Sequence, residues 1–162
     1  MTCMIELMAW CCIGRNRATQ STAQGLYSLE DVTNLLCSAD MNIHIQLPCI
    51  TFLRVVWLST YSGVFRKFDK IWLVLLKFQT IMMQFSEEDL QASHRECIFN
   101  GIVPFLIDLV TVAPSAVQLP AASGEHIIDT APLVNSRRTF RDILNLLVPL
   151  TAREIKNNSL NA

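Results

Sequence analysis

With 162 residues, 51% apolar and only 17% charged, the chain has enough nonpolar content for one ordinary domain or a short helical array, and it does not read as disordered. Average chains carry about 25% charged residues, and here the formal net charge of -1 gives no electrostatic case for nucleic acid or an acidic surface. Six cysteines stand at 3, 11, 12, 37, 49 and 97, none spaced C-x-x-C, which argues against zinc-ribbon and thioredoxin chemistry and against a disulfide scaffold. The simplest reading is reduced, mostly buried thiols in an intracellular, cytoplasmic protein.

Along the chain, the N-terminal stretch MTCMIELMAWCC is apolar but carries Glu6, and no Lys or Arg precedes it, so it makes a poor signal peptide. Residues 14–27, GRNRATQSTAQGLY, are polar and read as a loop or linker; 1–27 is therefore an N-terminal segment and linker. Ser28-Leu29-Glu30-Asp31 then has the form of a helix start. The Ser28 hydroxyl can take an orphan amide, and Leu29, Val32, Leu35 and Leu36 fall on one face. Ser86-Glu87-Glu88-Asp89 and Thr139-Phe140-Arg141-Asp142 repeat the signature ahead of further apolar runs. HIQLPCITFLRVVWLSTY is rich in β-branched and aromatic residues, yet Pro48 opposes a central strand. It and KIWLVLLKFQTIMM are read as helices from their helical flanks. A helical domain over 28–154 and a flexible polar tail over 155–162 complete the expected organisation.

The chain also repeats itself. Gln46-Leu47-Pro48 and Gln118-Leu119-Pro120 lie 72 positions apart, each following an apolar segment and a turn. That spacing is about twice a helical repeat of roughly 36 to 40 residues. HRECIFNGIVPFLIDLV resembles the armadillo repeat at its first-to-second helix junction, through Gly101, Ile102, Val103, Pro104, Leu106, Leu109 and Val110. SAVQLPAAS and NIHIQLPCI resemble the start of the armadillo third helix. Under that resemblance Gly101 supplies a sharp turn, with Pro104 and Pro120 in the first turns of new helices, where a missing N–H costs nothing. The sequence departs from the family pattern at Ser123-Gly124 and Pro132, which interrupt the third helix, and over 59–90, which does not form one clean repeat.

Chemistry-bearing clusters are sparse. His94, Glu96 and Cys97 sit close together but lack further metal ligands. SGEHIID supplies Ser123, Glu125, His126 and Asp129 without the strained turn a nucleophile needs. Phosphate loops and H-E-x-x-H are missing, so neither catalysis nor a cofactor is expected. Cys11 and Cys12 beside Arg15 and Arg17 have the look of acylation sites, or of ordinary thiols on an apolar helix. Arg66, Lys67 and Lys70 among Phe65, Phe68 and Trp72 form a basic-aromatic cluster best read as a solvated face. Arg137, Arg138 and Arg141 could bind an acidic partner segment or simply keep their face soluble.

The expected fold is all-α: a short right-handed α-solenoid of stacked helices, armadillo-like and of truncated length. The resemblance implies a non-catalytic protein–protein interaction module, a scaffold whose partner is another protein or a second copy covering the terminal helix. The rival is a small membrane-associated protein with segments 45–58, 71–85 and 97–113 in or on a bilayer. Polar stripes such as Arg54, Asp108 and Asp142 separate the two readings, since solenoid helices keep them toward water.

Overall fold

The computed structural model describes residues 2–14, 16–38, 42–59, 71–86, 92–112 and 131–160. Among these residues the fold is all helical, as expected. Seven helices follow in order: α1 (Thr2–Cys12), α2 (Arg17–Leu26), α3 (Leu29–Cys37), α4 (Ile43–Phe52, continued by a π-helical turn Leu53–Leu58), α5 (Ile71–Ser86), α6 and α7 (Ala131–Leu160). Helix α6 comprises Ala92–Glu96, a π-helical turn Cys97–Ile102 and Val103–Val112. These helices form two compact units, α1 to α4 with α6 in one and α5 with α7 in the other.

The first unit is organised around α4. Its 43–58 run is apolar on nearly every side, with Cys49, Ile50, Phe52, Leu53, Val56 and Leu58 all buried. A helix greasy all round must be covered all round, and α1, α2, α3 and α6 each pack against it. Helix α3 begins as its sequence dictates. Ser28 Oγ accepts from Asp31 N at 3.0 Å and donates to the Asp31 carboxylate at 2.6 Å, leaving Leu29, Val32 and Leu36 facing inward.

Four local expectations give way. Residues 17–26, expected as linker, form α2: Asn16 Oδ1 caps it by accepting from Ala18 N and Thr19 N, and Gln20 and Ala23 are buried. Gln46-Leu47-Pro48 does not open a helix, because Asn42 caps α4 upstream by accepting from His44 N, which places Pro48 inside it. Gly101 is not a turn. The helix runs through it with no positive φ, which among the described glycines belongs to Gly14 alone. Gly101 instead lets α6 press against α4, since a Cβ there would lie 2.9 Å from Leu47 Cδ1 and 3.6 Å from Ile50 Cγ2. Thr139 starts no helix either; it is buried in the interior of α7. Gln118-Leu119-Pro120 and the Ser123–Asp129 cluster lie outside the described residues, as do residues 60–70 with their basic-aromatic cluster, apart from Trp72 in α5.

The π-helical turn of α6 sits just ahead of Pro104, where the Val103 amide bonds back to Ile98 O, five residues away. The wider turn relieves the clash that a proline ring makes with the carbonyl four residues earlier. Gly101→Ala is expected to change stability by less than about 1 kcal/mol, because gained helix propensity offsets a shift of the flexible Leu47 tip. Gly101→Leu is expected to cost about 3 kcal/mol by forcing the helices apart. Urea titrations of the two variants check this.

In the second unit α5 packs along α7. Val74, Phe78, Ile81 and Met82 are buried on α5, at the spacing of one helical face. On α7, Thr139, Ile143 and Leu150 are buried, and the helix continues to Leu160 through the polar stretch read as a tail.

Candidate functional site

Three helices of the first unit leave a groove of about 500 Å³ between them, within the roughly 300–1,000 Å³ range of sites that take ligands. Its walls are helical stripes. Helix α1 contributes Glu6, Ala9 and Trp10, followed by Ile13; α4 contributes Ile43, His44, Leu47, Pro48, Thr51 and Arg54; α6 contributes Ser93, Glu96 and Asn100. Positions three or four apart share a face, so each helix presents one continuous row. From Ile43 to Arg54 the α4 row is about 16 Å long at 1.5 Å per residue, and the other two are about 10 Å long.

Helices α4 and α6 run parallel. Gly101 meets Leu47 and Ile50, and further along Arg54 Nε lies 3.7 Å from Asp108 Oδ2. Both charged groups are partly exposed, so the ion pair contributes at most about 1 kcal/mol; it engages Arg54, the one Lys or Arg among the described lining residues. Glu6 on α1 and Glu96 on α6 are both exposed and both line the groove. Trp10 stands at the rim with 66% of its surface in solvent, and Ile13 beside it is half exposed.

A Ser, a His and two carboxylates therefore border one cavity, which invites comparison with a catalytic triad. A triad needs the base hydrogen-bonded to the nucleophile, and among the described residues no such bond joins Ser93 to His44. Nor do the described residues contain a group of three or more His, Cys, Asp or Glu able to hold a metal ion.

The residues singled out from sequence fall elsewhere. Arg137, Arg138 and Arg141 lie on α7, in the other unit, where Arg138 and Arg141 are exposed and the Arg137 side chain is outside the described set. Cys11 is exposed, but its neighbour Cys12 is buried, so Cys12 is closed to acylation in the folded chain. Burial also pushes the Cys49 thiol up to about 11, and burial with Glu96 nearby pushes Cys97 up to about 12. Mass-mapped alkylation of the native chain is expected to modify Cys11 well before Cys12, Cys49 and Cys97, which should react only on unfolding.

The same shifts set an alkaline limit. An unfolded thiol ionises near 9, whereas folded Cys49 holds its proton to about 11. Above pH 9 the unfolded state therefore binds fewer protons, and stability falls as pH rises through that window, by about 1.4 kcal/mol per unit per thiol. Urea midpoints measured from pH 8 to 10.5 check the slope, and Cys49→Ala should reduce it.

The groove is not legible in the sequence because its parts lie in three separate stretches. The one local signal is the four-residue spacing of Glu6 and Trp10, which places them on one flank of α1, with Ile13 just past its end. No protein-family model matches the chain, and a search of the curated proteins finds no significant match.

Proposed function

We propose that the chain is a non-catalytic protein-binding module of the cytoplasm, with helices stacked in an armadillo-like array and the groove between α1, α4 and α6 as its receptor surface. The observation that carries the reading is a large, exposed Trp10 beside Ile13 over an apolar floor of Ala9, Leu47 and Pro48. Tryptophans that a partner buries against an apolar pocket are among the residues on which binding energy concentrates. Support for stacking comes from the parallel packing of α4 and α6, two helices distant in sequence, whereas a simple up-and-down bundle pairs antiparallel neighbours.

A peptide-display selection against the whole chain tests the reading. Enriched peptides should bind the native chain and lose most affinity in Trp10→Ala and in Leu47→Glu, with circular dichroism unchanged for Trp10→Ala. Peptides that bind both variants as well as the native chain would place the receptor surface elsewhere.

A second reading has its own observation. Met4, Leu7 and Cys11 are exposed along the crest of α1, an apolar strip suited to a membrane surface. Among the described residues no helix is long and apolar enough to cross a membrane, so this reading means adsorption. Co-sedimentation with lipid vesicles that is lost in Leu7→Glu would favour it; no co-sedimentation would remove it.

A further inference from the structure

We infer that the occupant of the groove is a short basic amphipathic helix of another protein, an inference that rests on the protein-binding reading above. Length comes first. Rows of about 10 to 16 Å correspond to two to three helical turns at 5.4 Å per turn, so the matching segment is a helix of that size, seated by its apolar face. Charge comes second. Glu6 on α1 and Glu96 on α6 bring two carboxylates to the groove from two different helices. Arg54, the one Lys or Arg among the described lining residues, is paired with Asp108, so the described lining carries a net negative charge with His counted neutral.

The aromatic rim points the same way. Trp10, one turn from Glu6 along the same flank, exposes most of its surface, and a tryptophan face attracts guanidinium and ammonium groups. A partner helix with apolar residues at i, i+3 or i+4, and i+7, flanked by Lys or Arg, would satisfy the floor, both carboxylates and the indole together. An acidic helix would set like charges against both walls. The exposed basic face of α7 in a second copy is the competing occupant, and the test below separates it.

The test uses the full chain and three synthetic 14-residue peptides with one leucine face and identical length, flanked by Lys, Gln or Glu. Isothermal titration is expected to give the Lys peptide about tenfold tighter binding than the Gln peptide, with the Glu peptide weakest. The double variant Glu6→Lys/Glu96→Lys, both at exposed positions, is expected to reverse the order. Equal binding of all three peptides, or an order that survives the double variant, would overturn the charge inference while leaving the groove as a binding site. No binding by any peptide would overturn both. Sedimentation of the chain alone completes the test: a dimer that dissociates in Trp10→Ala would seat a second copy in the groove and overturn the partner assigned here.

Discussion

Phe52→Ala is expected to remove about 3–5 kcal/mol of stability, a large fraction of the roughly 5–15 kcal/mol that holds a typical domain. Phe52 is fully buried, at the point where α4 passes into its π-helical turn. Its ring also meets Tyr27 edge to face, with centroids 5.7 Å apart and planes at 84°, and such a pair adds about 0.5–1.5 kcal/mol to the area it buries. Tyr27 is the residue that ends α2, so the pair pins α2 to the central helix. Phe52→Leu keeps most of the buried volume and loses the ring contact, and it should cost only about 1–2 kcal/mol. Urea titration by circular dichroism measures both; a Phe52→Ala loss under 1 kcal/mol would mean that α4 is not the centre of the unit.

The second large effect comes from a polar contact. Gln20 Nε2 donates to Val55 O at 2.9 Å and to Ser59 Oγ at 3.1 Å, and the Ser59 hydroxyl donates to the same Val55 carbonyl. One turn along α2, Gln24 Nε2 donates to Val56 O at 2.8 Å. The last carbonyls of a helix have no partner within it, and here two glutamines of a neighbouring helix supply donors. Because Val55 O has two side-chain donors, Gln20→Leu alone and Ser59→Ala alone should each cost about 1 kcal/mol. Together they strip both donors from a buried carbonyl, and the pair should cost about 3 kcal/mol, more than the sum. A double-mutant cycle in urea reads the excess. Strict additivity would show that the carbonyl is satisfied without them.

These glutamines also show where the sequence was legible and where it was not. Ser28 and Asp31 act between neighbours in the chain, so the start of α3 could be read directly from residue order. Gln20 and Gln24 make residues 17–26 look polar and loop-like, yet their amides are directed at carbonyls 35 and 32 positions away. A long-range partner turns a polar residue into a core residue, and no local pattern records that. Gly101 and Pro104 misled for a related reason: both are helix breakers in isolation, but a π-helical turn and a close-packed neighbour accommodate them. Thr139 has the composition of a cap, but burial inside α7 gives it a different role. The apolar runs themselves are legible as helices, because burial on most sides leaves little else for so greasy a stretch as 43–58.

The groove follows the same logic. Each wall is a simple row at three- or four-residue spacing, visible once its helix is known, but the cavity exists only because α1 and α6 both pack beside α4. Glu6 and Glu96 are ordinary surface carboxylates in the sequence, and only the fold brings them to one groove.

Hydrogen exchange on the full chain, read by mass spectrometry with and without the Lys-flanked peptide, tests the central claim most directly. The slowest exchange is expected over 43–58 in the free chain, with added protection on binding confined to 4–13, 43–54 and 93–100. Fast exchange over 43–58, or protection that appears elsewhere when the peptide binds, would contradict it.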